Sequence, residues 1–140
     1  KLSNLPIINT GGYGSSEELS ISITSMKLHE NPLAPVILLD PNNLWDHAHK
    51  QIKQIAAGKY GPGFIPKLVR SCRDADHAYN EIVAFLKDPD AWYKTCRIPR
   101  QSVTQARAQS LRIRKKALGL DCVEIFDRPN PRLKPVIGQS

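Results

Sequence analysis

The sequence lacks any apolar run close to the roughly 20 residues needed to cross a bilayer. Cysteine is scarce: the three present, Cys72, Cys96 and Cys122, are widely spaced and form no CxxC pair. This spacing excludes the patterns of a disulfide framework and of a zinc ribbon. These absences predict a protein that has no membrane partner and lies in a reducing, intracellular compartment (cytoplasm, nucleoid or nucleus).

Length and composition predict one folded unit. The 140 residues are 41% hydrophobic and 24% charged, which is close to the average of globular domains. The Gly- and Ser-rich start predicts a flexible arm over residues 1–16, followed by a single compact domain over residues 17–140. The first residue is Lys rather than Met, so the chain could belong to a longer protein.

Acidic residues become rare in the last fifty positions. Residues 1–90 carry nine Lys or Arg against ten Asp or Glu, whereas residues 91–140 carry eleven against three, giving formal charges of −1 and +8. Such an asymmetry is the pattern expected when a nucleic-acid surface is joined to a neutral body. It predicts that the C-terminal part binds the phosphate backbone of a nucleic acid.

Hydrophobic periodicity predicts both strands and helices. Leu19, Ile21 and Ile23 alternate with polar residues, which is typical of a half-buried strand, and residues 36–39 read as a second, more buried strand that could pair with the first. Two helical patterns follow. The first covers residues 44–57 and is stopped by Gly58, and the second begins after Asp74, its predicted N-cap.

The C-terminal part has the strongest local signals. A short helix is predicted from Pro89, and Ser102 with Gln105 forms a capping-box pattern for a helix over residues 102–118, with Gly119 as its C-terminal cap. Strands are predicted at residues 122–126 and 136–137. The fold class is therefore α+β and mainly helical, with N-terminal strands and helices and a C-terminal helix-turn-helix and β-hairpin.

The order of helix, short helix, turn, basic helix and hairpin over residues 74–137 resembles the winged-helix family. That resemblance implies that the basic helix enters the major groove and that the hairpin contacts the flanking backbone. Residues 74–140 would be the basic nucleic-acid-binding half of a protein acting in transcription regulation or replication, with DNA favoured over RNA and with no cofactor or metal. The predicted nucleic-acid-binding residues are Arg100, Gln105, Gln109, Arg112, Lys115, Lys116, Arg128, Arg132 and Lys134. The sequence leaves the oligomeric state open.

Other interpretations stay open. The run from Val36 to Asp40 also resembles the first strand of PIN and NYN-type ribonucleases, where an Asp at the strand end holds a divalent metal. His47 and His49 resemble the paired histidines of nicking endonucleases, but a helical pattern would point the two rings in divergent directions, which favours solvent-facing histidines. A third alternative is a protein-interaction module whose basic surface meets an acidic protein.

The glycine-rich segment Gly11-Gly12-Tyr13-Gly14 could cradle a phosphate group. Such a loop needs a strand before it, a helix after it and usually a Lys, whereas here Glu17 and Glu18 would repel an anion. The sequence therefore favours a flexible arm at this position.

Overall fold

The structure is a computed structural model that describes residues 5–28 and 30–119. In chain order the elements are β1 (Ile7–Asn9), α1 (Tyr13–Lys27), β2 (Val36–Leu39), α2 (Asp46–Ala57), α3 (Ile65–Leu68), β3 (Val69–Cys72), α4 (Ala75–Lys87), α5 (Pro89–Thr95) and α6 (Arg100–Ala117).

The three strands form one parallel sheet in the order β1-β2-β3. Leu38 at the centre pairs with Ile8 on one side and with Ser71 on the other. Parallel neighbours need a crossover, which α1 supplies between the first two strands, and α2 with α3 between the second and third. The carboxyl ends of all three strands therefore meet at one edge of the sheet.

The core lies on both faces of this sheet. Val36 and Leu38 of β2 belong to the larger cluster, which also contains Leu19 of α1 and Trp92 of α5. Ile37 points to the opposite face and packs with buried side chains of β3 and α4. Because both faces are covered, β2 is apolar throughout, as is usual for a parallel strand, and the predicted strand at residues 36–39 is confirmed.

The predicted strand at Leu19, Ile21 and Ile23 is wrong, since these residues lie inside α1. Leu19 and Met26 are buried whereas Ile21 is 56% exposed, so burial follows the helical period and not the strand period. The hydroxyls of Ser20 and Ser22 donate to carbonyls four residues earlier, which accommodates them within the helix. Within the stretch expected to be a flexible arm, residues 7–9 form a strand and residues 13–16 begin α1.

Three predicted helices in the C-terminal part are confirmed. The Asp74 carboxylate accepts a hydrogen bond from His77 N at the start of α4, and the Asp88 carboxylate accepts one from Ala91 N where α5 begins at Pro89. The basic helix α6 starts at Arg100, two residues before the predicted start, with Pro99 as its N-cap. Gly119 follows its C-terminal end with φ of 66°, a conformation that favours glycine.

The winged-helix interpretation is nevertheless wrong. Val103 and Ala106 of α6 pack into the same core as the parallel sheet, so the helix completes a layered fold built from strand–helix–strand units. The predicted hairpin, over residues 122–137, lies outside the described residues. In the described part of the chain, no helix is long and apolar enough to cross a membrane.

Candidate functional site

The glycine-rich segment forms the turn between β1 and α1. β1 ends at Asn9 and α1 begins at Tyr13, with Gly12 as its N-cap. Glycine has no side chain to cap a helix, so the first backbone N–H groups of α1 are not satisfied by their N-cap residue. The strand and the helix that a phosphate loop needs are thus both present, and the helix dipole adds partial positive charge at this point.

Gly11 lies close to the side chain of Ser15 inside this turn. A Cβ atom at position 11 would overlap Ser15 Oγ and would lie 3.4 Å from Ser15 Cβ. A Cβ atom added at Gly12 or Gly14 would meet open space. A methyl group at position 11 would therefore displace the Ser15 hydroxyl, while Gly12 and Gly14 leave room for another group to approach the backbone.

A cavity of about 520 Å³ opens beside the turn, between α1 and α2. Its volume falls within the range of small-molecule sites, about 300–1,000 Å³. The residues that line it include Thr10, Gly11, Ser16, Leu19, Trp45 and Ile52. None of the described lining residues is acidic, and Lys27 is among them. Glu17 and Glu18 are exposed and do not line the cavity, so their carboxylates face solvent.

Asp40 lies at the carboxyl end of β2 and is only 3% exposed. Its Oδ1 atom accepts a hydrogen bond from Leu44 N at 2.7 Å, and its Oδ2 atom accepts one from Trp45 N at 3.2 Å. Both carboxylate oxygens are therefore used to hold the loop that leads into α2. Among the described residues no group of three or more His, Cys, Asp or Glu could hold a metal ion, so the nuclease interpretation centred on Asp40 is not supported.

The two histidines of α2 point to different surroundings, as expected for residues two apart on a helix. His47 lines the cavity and is exposed, whereas His49 Nε2 lies 2.7 Å from Ser71 Oγ of β3. Burial and the nearby Lys53 ammonium lower the pKa of His49 below its ordinary value of 6.5, against the smaller opposing effects of Asp40 and Asp46.

Because of this lowered pKa, the unfolded chain takes up a proton at higher pH than the folded chain does. The free energy of unfolding should therefore fall as the pH is lowered through about 6.5 toward the lowered pKa of His49. Thermal unfolding of the wild type and of His49→Gln at pH 7, 6 and 5 should show a weaker pH dependence in the variant. His47→Gln is the matched control. A constant difference in Tm at all three pH values would contradict the role of His49.

None of the predicted nucleic-acid-binding residues that the structure describes lines the cavity. On α6, Lys115 is half-buried and the others are exposed, namely Arg100, Gln105, Gln109, Arg112 and Lys116. Arg128, Arg132 and Lys134 lie outside the described residues. The structure does not test whether these side chains contact nucleic acid, and it places none of the described ones beside the glycine turn.

Comparison with known proteins identifies the family of this chain. Residues 1–82 match the model of the family described as "Possible lysine decarboxylase". The chain belongs to this family. The matched region contains the whole parallel sheet, the glycine turn and the residues that line the cavity. No curated protein and no solved structure matches the chain at a significant level of similarity.

This match overturns the assignment as a DNA-binding transcription or replication protein. Membership rests on the first 82 residues, which precede the strongly basic residues 91–140, and it indicates an enzyme family with a Rossmann-like fold. Both the winged-helix resemblance and the DNA-binding function drawn from it are wrong. On the described helix α6 the basic side chains of Arg100, Arg112 and Lys116 are exposed, but charge alone does not locate a site.

The family description raises the question of pyridoxal phosphate, the cofactor whose Schiff base with a Lys supplies the electron sink for amino-acid chemistry. Lys27 is the lysine that lines the cavity. It ends α1, roughly 20 Å from the glycine turn at 1.5 Å per residue, and its ammonium donates to Tyr60 O on the exposed side. No described lysine is buried. The described residues therefore do not fit this cofactor.

Proposed function

We propose that the chain carries the phosphate-binding part of an enzyme site for a phosphorylated small molecule that also contains a flat ring. The phosphate group binds the backbone N–H groups at the start of α1, and the ring enters the cavity between α1 and α2. The observation that carries this proposal is the glycine turn between a parallel strand and a helix, at the edge where the carboxyl ends of the strands meet. Open parallel sheets bind their ligands at this edge.

The surroundings of the turn support an anionic ligand. Described lining residues contribute no carboxylate to the cavity, and hydroxyl groups of Thr10 and Ser16 line the end next to the turn. Farther along, Leu19, Ile23 and Ile52 provide an apolar wall. A polar end joined to an apolar cleft suits a nucleoside monophosphate, which has a charged group at one end and a ring at the other.

The test is calorimetric titration of the purified chain with adenosine 5′-monophosphate, ribose 5-phosphate and adenosine. The first two should bind and adenosine should bind more weakly, because it lacks the phosphate. Gly11→Ala should weaken binding of both phosphates about tenfold, because the added methyl group displaces the Ser15 hydroxyl and occupies space beside the backbone N–H groups at the start of α1.

Gly63→Ala is the matched control, since it makes the same change where nothing lies within 4 Å of the new methyl group and outside the cavity lining. It should bind like the wild type. Equal binding of adenosine and its monophosphate, or unaltered binding by Gly11→Ala, would contradict a phosphate site at the turn.

An intracellular, reducing location is part of the same proposal. Cys72 and Cys96 are free thiols, and burial raises the pKa of both. A raised pKa keeps a thiol protonated and unreactive, which fits structural cysteines in a reducing compartment.

A further inference from the structure

The indole N–H of Trp45 is a buried donor without a partner. Trp45 is 6% exposed, and within residues 5–28 and 30–119 its Nε1 atom forms no hydrogen bond. Buried polar groups in folded proteins nearly always have a partner, because an unmade hydrogen bond destabilises the fold. An orphan donor that persists therefore calls for an explanation, and a bound ligand is one.

The position of Trp45 supplies that explanation. Its backbone N–H is held by the Asp40 carboxylate at the end of β2, and Trp45 is among the residues that line the cavity beside the glycine turn, at the border between this cavity and the core. β1 and β2 are neighbours, so the turn after β1 and the loop carrying Trp45 lie at the same edge of the sheet. The rest of the wall on this segment is apolar at Leu44, Ala48 and Ile52 and polar at His47 and Gln51.

We propose that Trp45 Nε1 donates a hydrogen bond to an acceptor atom on the ring of the ligand and so selects ligands whose ring carries such an atom. This inference rests on the proposed function and adds to it a residue that recognises the ring, as distinct from the phosphate. The Nε1 atom is covered by its neighbours in this structure, so the proposed contact requires the indole ring to move when the ligand binds. An apolar cleft with few placed polar groups obtains its specificity in this way.

Trp45→Phe removes the donor and keeps an aromatic ring in the wall. We expect the variant to bind adenosine 5′-monophosphate about three- to tenfold more weakly, as for the loss of one neutral hydrogen bond. It should bind ribose 5-phosphate like the wild type, because this probe has the phosphate but no ring with an acceptor. Trp92→Phe is the matched control, since Trp92 lies in the core and outside the cavity lining.

The two tryptophans also allow an optical readout. In Trp92→Phe the remaining fluorescence comes from Trp45, so adenosine 5′-monophosphate should change the emission of that variant and leave the emission of Trp45→Phe unchanged.

The possible failures are distinguishable. If Trp45→Phe binds adenosine 5′-monophosphate as tightly as the wild type, the role of Trp45 is overturned and the phosphate site stands. If the variant loses affinity for ribose 5-phosphate to the same extent, Trp45 acts on the shape of the site as a whole and the proposed contact is overturned. If the wild type binds neither phosphate, both the contact and the proposed function fall.

Discussion

Trp92→Ala should lower the free energy of unfolding by about 3–5 kcal/mol, the usual cost of truncating a buried aromatic side chain. Trp92 is 7% exposed and packs edge-to-face against Phe85 of α4 and Tyr93 of α5. The Tyr93 hydroxyl in turn donates to Leu33 O, just before β2. This aromatic cluster thus connects α4 and α5 to the strand at the centre of the sheet, and the substitution removes one of its three mutually contacting rings.

Urea unfolding followed by circular dichroism measures this loss. Tyr79→Ala is the control, since Tyr79 lies on α4 but is 66% exposed, and its truncation should change stability by less than about 0.5 kcal/mol. A loss below about 1 kcal/mol for Trp92→Ala would show that α5 and α6 contribute little to the core that contains the sheet.

Local signals in the sequence predict those elements whose boundaries are set by their own side chains. Asp74 and Asp88 cap α4 and α5 with carboxylates that accept from backbone N–H groups three residues later, and capping residues can be recognised without knowing the rest of the fold. The apolar run of β2 is recognisable for a similar reason, because burial on both faces leaves no polar position in it.

The parallel sheet is not recognisable in this way. β1 has three residues and β3 contains Arg70 and Ser71, so neither has a clear strand pattern. The alternation at Leu19, Ile21 and Ile23 favours a strand locally, but the crossover from β1 to β2 requires a helix there, and tertiary context overrides propensity. A strand at these residues would leave the glycine turn without a helix after it.

The sequence does not predict the candidate site at the glycine turn, for two linked reasons. Glu17 and Glu18 stand next to the glycine turn in sequence, yet on α1 they lie outside the cavity lining, a separation that only the helical geometry reveals. The excess of Lys and Arg in the C-terminal part predicts a nucleic-acid site instead. On α6, Arg107 forms an ion pair with exposed Asp90, and its guanidinium lies over the Tyr93 ring at 5.8 Å. The positive charge of Arg107 is therefore used in contacts within the protein.

Asp40→Ala should lower the free energy of unfolding by about 3 kcal/mol, because it leaves the N–H groups of Leu44 and Trp45 without their acceptor in a buried loop. Asp40→Asn should also destabilise the fold, by a smaller amount, since one of the two acceptor oxygens becomes an NH₂ donor facing an N–H group. The matched control is Asp46→Asn, which removes an exposed carboxylate from the first turn of α2 and should cost less than about 1 kcal/mol.

The same variants show whether the Asp40 carboxylate only holds the loop or also binds a metal ion. If Asp40 serves only to hold the loop, magnesium or manganese should leave the Tm of the wild type unchanged, and the two Asp40 variants should lose stability with or without the ions. Since the loop carries Trp45 into the cavity wall, Asp40→Asn should also weaken binding of adenosine 5′-monophosphate more than binding of ribose 5-phosphate. A rise in wild-type Tm with either ion that disappears in Asp40→Asn would instead assign the carboxylate to a metal. The hydrogen bonds to Leu44 and Trp45 would then describe only the metal-free arrangement of the loop.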